Sequence, residues 1–133
     1  MTFTSKVPAG TSWITLAQGC CANPGTTVAT LSLAPGSYLL IGHVSVFNAI
    51  PAPIEAYCVL SDSAGVISSP SAFGETGLMA SNGSSAGSIT VQTGATFPSN
   101  VTVTLSCAYA GGSGSVSAGG ITLSAVQSNL SVQ

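Results

Sequence analysis

Residues 101–109 alternate without a break. Val101, Val103, Leu105, Cys107 and Tyr109 fall on one side of the chain, and Thr102, Thr104, Ser106 and Ala108 on the other. A repeat of two is that of an extended strand, whose successive side chains point to opposite faces. The same period, carried largely by β-branched residues, runs through 11–17, 26–33, 37–48, 54–61, 88–93 and 120–132. No segment places apolar residues at helical spacing between caps. Gly, Ser, Thr and Val are all common, and none favours a helix interior. The chain is therefore expected to be all-β.

Turn residues punctuate these runs. Pro35-Gly36 has the order that suits a type II bend, with Pro first and Gly second. Pro51 and Pro53 close the long run 37–48, because proline cannot donate to a central ladder. A polar turn is expected at 62–65, a loop at 81–87 and a flexible connection at 111–114. Residues 66–79 carry Pro70, Gly74 and Gly77 and are expected to hold one or two short strands. Roughly seven to ten strands at intervals of about 8–12 residues describe a two-sheet antiparallel sandwich or jelly roll. No repeat of fixed period points to a propeller or solenoid. The length, 133 residues, suits one domain. Residues 11–133 are expected to form it, with 1–10 as an N-terminal arm able to add a strand to a partner.

The two faces of 37–48 bear on function. Tyr38, Leu40, Gly42, Val44 and Val46 share one face, and Leu39, Ile41, His43, Ser45 and Phe47 the other. An antiparallel sheet with one solvated face keeps that face polar, yet both faces here are largely apolar. Either Leu39, Ile41, His43 and Phe47 meet another subunit, or a further part of the same chain covers them.

Charge narrows the function classes. Only Lys6, Glu55, Asp62 and Glu75 are fully charged, 3% of the chain, against about 25% in ordinary soluble domains. One lysine cannot neutralise the several phosphates that nucleic-acid binding requires, so no nucleic acid is expected as partner. Mean hydropathy is high at +0.58, but no apolar run approaches the roughly 20 residues of a membrane helix. No membrane association is expected. The polar start at 1–6, with no apolar core before Pro8, lacks the pattern of a signal peptide. On that reading the chain stays where it is made, or a processed segment has been removed.

The segment TTVATLSLAPGSYLLIGHVSVFN at 26–48 resembles that of trimeric jelly rolls related to tumour necrosis factor and the complement globular head. Bacterial and phage versions continue with strands similar to 56–60 and 101–107 and end on one similar to 121–127, so the resemblance covers most of the chain after Thr26. It implies a ten-strand, two-sheet jelly roll packed as a homotrimer. It also implies a role as an adhesive or decorative tip on cells, spores or virions. The acidic loops that carry calcium and receptor residues in animal members have no counterpart here.

Candidate chemistry is sparse. His43 is the only histidine and lies mid-strand, whereas a general base needs an orienting acid and a nearby nucleophile. Glu55, Asp62 and Glu75 fall near strand ends or loops. No catalytic residue, cofactor or metal is expected, since adjacent Cys20 and Cys21 with one histidine do not have zinc-ligand spacing. Cys58 and Cys107 are the candidate disulfide pair, formed should their two strands be neighbours, although a cytosolically made chain more often keeps free, buried thiols. Trp13, Tyr57, Phe73, Phe97 and Tyr109 are candidates to stack on sugar rings, set against the ordinary role of aromatics in a core. Asn82, Asn100 and Asn129 begin N-glycosylation triplets that, without a leader, read as chance. At a subunit interface His43 would be placed to act as a pH switch.

These observations lead to one expectation: a non-enzymatic virion structural protein. It would be a homotrimeric phage capsid decoration protein, made in the host cytoplasm. It would bind the major capsid protein or another virion protein through apolar and backbone contacts. The alternatives are the receptor- or glycan-binding head of a phage fibre and a bacterial surface adhesin domain.

Overall fold

The computed structural model describes residues 2–4, 13–18, 25–48, 53–62, 65–66, 73–79, 85–111 and 116–127. Every regular element among them is a strand: β1 (Thr2–Thr4), β2 (Trp13–Thr15), β3 (Ala17–Gln18), β4 (Thr26–Leu33), β5 (Gly36–Asn48) and β6 (Ile54–Asp62). There follow β7 (Gly65–Val66), β8 (Phe73–Met79), β9 (Ser85–Phe97), β10 (Val101–Gly111) and β11 (Val116–Gln127).

They form two sheets. In the first, β1 and β2 both line β11, which pairs with β5, which pairs with β9. In the second, β3 and β4 line β10, which pairs with β6, and β7 and β8 line the far side of β6. All pairs are antiparallel except the short β10–β3 contact. From β4 onward the chain changes sheet at every connection except those joining β6, β7 and β8. The result is an all-β sandwich with the crossing pattern of a jelly roll.

Alternation decides what lies between the sheets. Tyr38, Leu40, Val44 and Val46 of β5 point inward, as do Val103, Leu105, Cys107 and Tyr109 of β10, and all are buried. Ile54 and Leu60 of β6, Val91 of β9 and Leu123 of β11 complete the layer. Each such side chain contributes roughly 1.5–3 kcal/mol by leaving water.

Several boundaries differ from the sequence expectation. The run 11–17 does not form one strand. After Thr15 the chain leaves the first sheet, with the Leu16 N–H donating to the Val116 carbonyl at 2.8 Å. It then enters the second sheet as β3, where the Ala17 N–H donates to the Thr26 Oγ1 at 2.9 Å. β9 extends beyond 88–93 in both directions because all thirteen of its residues pair with β5. β11 begins at Val116, through Gly119 and Gly120, and carries an irregularity between Gly119 and Thr122. The Pro35-Gly36 bend is not type II. Gly36 has φ +152°, far from the roughly +80° of that turn, and already pairs with Phe97. The Tyr38 hydroxyl holds the bend by donating to the Ala34 carbonyl at 2.7 Å.

Of the expected N-terminal arm, Thr2–Thr4 pairs with Ser124–Val126 of its own sheet. Residues 5–10 lie outside the described residues.

Candidate functional site: the outer face of the first sheet

Cross-strand partners share a face, so the outward side of the first sheet can be laid out row by row. At one end, Thr15, Ser117 and Phe47 form a row across β2, β11 and β5, and beside it run Trp13, Gly119 and Ser45. The middle row is Thr122, His43 and Thr90. Beyond it come Ser124, Ile41 and Gln92, and then Val126, Leu39 and Gly94. The face thus has an apolar patch at each end and a hydroxyl- and amide-rich band between.

Exposure singles out this face. Among the described residues the exposed large apolar side chains are Trp13 (53%), Leu39 (38%), Val126 (38%) and Phe47 (36%). All four stand on it. No charged residue occurs in β1, β2, β5, β9 or β11, whereas Glu55 and Asp62 belong to β6 and Glu75 to β8 of the other sheet. The two sheets therefore differ in kind: among the described strands the first is without charge and partly apolar on its outer face, and the acids belong to strands of the second.

Leu39, Ile41, His43 and Phe47 all lie on the neutral face, but they do not form one cluster. Leu39 and Phe47 are eight residues apart on β5, which at about 3.4 Å per residue is roughly 27 Å. Leu39 and Ile41 group with Val126, while Phe47 packs edge-on to Trp13 with ring centroids 6.4 Å apart. No part of the described chain lies over either patch. His43 Nδ1 lies 3.3 Å from the Thr90 hydroxyl, and its cross-strand neighbours Thr122 and Thr90 are both uncharged. No carboxylate among the described residues stands beside it to orient the ring. Val126 and the Trp13–Gly119 pairing were not legible as parts of this face. The irregularity at Gly119–Thr122 resets which side of β11 faces out, and the only local mark of it is the Gly119-Gly120 pair, which reads equally well as the start of a strand.

Cys58 and Cys107 face each other across β6 and β10 and form a disulfide, both fully buried. The candidate pair is thus joined, its two strands being neighbours, and neither cysteine can serve as a nucleophile in this state. Among the described residues no cysteine is free, and Cys20 and Cys21 lie outside them. No group of three metal-ligating side chains gathers among the described residues.

The aromatic candidates separate by burial. Tyr109 and Phe97 are core residues. Tyr57 is half-buried and donates its hydroxyl to Glu55 Oε2 at 2.8 Å. The side chain of Phe73 lies outside the described residues. Of these candidates, Trp13 offers a large exposed ring among the described side chains. Of the glycosylation triplets, Asn100 sits exposed between β9 and β10, while Asn82 and Asn129 lie outside the described residues. Asn100 also borders an open cleft of about 560 Å³ at the end of the second sheet, lined with Ser32, Leu33, Ala34, Val101 and Thr102. That cleft holds no charged or aromatic side chain to fix a ligand.

No protein-family model matches the chain, and no curated protein matches it.

Proposed function

We propose that this chain is a virion structural protein, a phage capsid decoration protein that self-associates, as a homotrimer, through the outer face of its first sheet. The observation that carries the reading is the segregation of that face. It holds every exposed large apolar side chain among the described residues and no charge. Contiguous exposed apolar surface marks interaction sites, and depletion of charge is the compositional signature of an interface core. The Leu39–Ile41–Val126 end supplies the subunit contact, with His43 at its margin.

The crossing order of the strands supports the resemblance to trimeric jelly rolls, as does Tyr38 bracing the Pro-Gly bend. The disulfide is also compatible with a protein that spends its working life outside a reducing cytosol.

Immunogold electron microscopy of particles from cells producing the chain tests the assignment. Label distributed over the shell is the expected result. Label confined to fibre tips would favour a fibre head, and label on the producing cell's surface a bacterial adhesin. Particles free of label would overturn the virion reading.

A further inference from the structure

We infer that Trp13, lying on Gly119 and braced by Phe47, is a stacking platform for one ring of a neutral sugar. Trp13 stands on the short strand β2 directly opposite Gly119 of β11. A Cβ at Gly119 would fall 2.6 Å from Trp13 Cε3 and 2.8 Å from Cδ2 and Cζ3. The six-membered part of the indole therefore rests on the backbone of β11, in space that any other residue would fill. Phe47 meets the indole edge-on, with an interplanar angle of 61°. One face of the indole is thus held from below and its side is braced, yet the side chain remains 53% exposed. What is left is a fixed, flat, solvent-facing aromatic surface.

The surroundings specify the ligand chemistry. Thr15, Ser117 and Ser45 occupy the outward positions around Trp13. Each hydroxyl can both donate and accept. A pyranose presents a C–H face to stack on an indole and equatorial hydroxyls to meet such groups. No charged side chain occurs in this sheet among the described residues, so a phosphorylated, sulfated or uronate ligand finds no counter-ion. Nucleic-acid bases also stack on aromatic side chains, but their backbone needs a cationic groove, and no cationic side chain stands on this face among the described residues. A second copy of the chain is the other conceivable occupant. The apolar patch assigned to self-association lies at the opposite end of β5, and the platform does not depend on the trimer reading.

Trp13 is the only tryptophan, so fluorescence excited at the red edge of the absorption band, where tyrosine does not absorb, reports on this site alone. The full chain is titrated with maltohexaose, cellohexaose and chitin hexamer, with oligogalacturonate as the charged comparison. A saturable change in emission with at least one neutral probe, and none with oligogalacturonate, is expected. Gly119→Ala, which keeps the tryptophan but lifts it from its seat, should abolish that change. If Gly119→Ala does not fold, Trp13→Ala is compared with the parent by calorimetry, and loss of binding heat with an unchanged circular dichroism spectrum is expected. Silence with all neutral probes would overturn the proposal, as would binding retained by Trp13→Ala. It would equally be overturned if, without sugar, emission shifted to the blue as protein concentration rose. That would place Trp13 under a second copy.

Discussion

Gly42 faces inward from the middle of β5, and a methyl group there has no room. Its Cβ would lie 2.9 Å from Val91 Cγ2 and 3.2 Å from Leu105 Cδ2, so side chains of both sheets would have to move. Gly42→Ala is therefore expected to destabilise the fold by about 1–3 kcal/mol, the usual range for overpacking a dense core. Urea unfolding measures it, and a stability equal to the parent's would show that the sheets yield more easily than their packing implies. The disulfide acts at the same scale by a different route. Cys58 and Cys107 are separated by 49 positions, and closing a loop of that length removes unfolded-state entropy worth about 4 kcal/mol. Replacing both cysteines with alanine should cost a comparable amount, read as a fall in the denaturation midpoint. Against a typical total of about 5–15 kcal/mol, that loss is a large share. A midpoint unmoved by the double substitution would mean that the unfolded chain is already restrained in other ways.

Strands made legible by clean alternation were those whose neighbours agreed with it. β4 was legible to its ends although its alternation breaks at Val28 and Ala29, both buried where the register against β10 shifts, and β10, which alternates over 101–109, was missed only in its last two residues. β9 and β11 were harder to read. Gly94 in β9, and Gly119 and Gly120 in β11, look like breaks to local propensity, yet pairing with β5 carries the strand through each of them. In β11 the passage takes the form of a bulge. Gly119 pairs with Ser45 and Thr122 with His43, so Gly120 and Ile121 together oppose Val44. Gly120 adopts φ +54°, the left-handed conformation that favours glycine in such a bulge. Gly120→Ala is expected to cost about 1–2 kcal/mol and to disturb the pairing on either side. Amide hydrogen exchange should then show lost protection at Thr122 and His43 but not at Tyr38 or Gln127. Uniform protection would mean that the bulge does not set the register. The candidate site was half legible for the same reason. Leu39, Ile41, His43 and Phe47 could be placed on one face from β5 alone, whereas Val126, Trp13 and Gly119 reach that face only through pairings distant in sequence.

At the scale of the whole molecule, the scarcity of charge is also an arrangement. The acids sit in β6 and β8 of the second sheet, and the first sheet is neutral throughout its described strands. Association through the neutral face would rest on apolar contact and hydroxyl or backbone hydrogen bonds, with no ion pairs for salt to screen. The Debye length falls from about 10 Å at 0.1 M to about 3 Å at 1 M salt, so an interface built on charge would weaken markedly over that range. Sedimentation equilibrium is expected to return the same association constant at both ends of it, or a slightly larger one at high salt. Substitution distinguishes the faces. Leu39→Asp places an unpaired carboxylate in the Leu39–Ile41–Val126 patch, where desolvation opposes burial, and should yield a monomer. Thr102→Asp makes the same change in charge at an exposed position of β10 in the other sheet and should leave association intact. Dissociation by Thr102→Asp but not by Leu39→Asp would move the contact to the acidic sheet, and the segregation of charge would then need a different explanation.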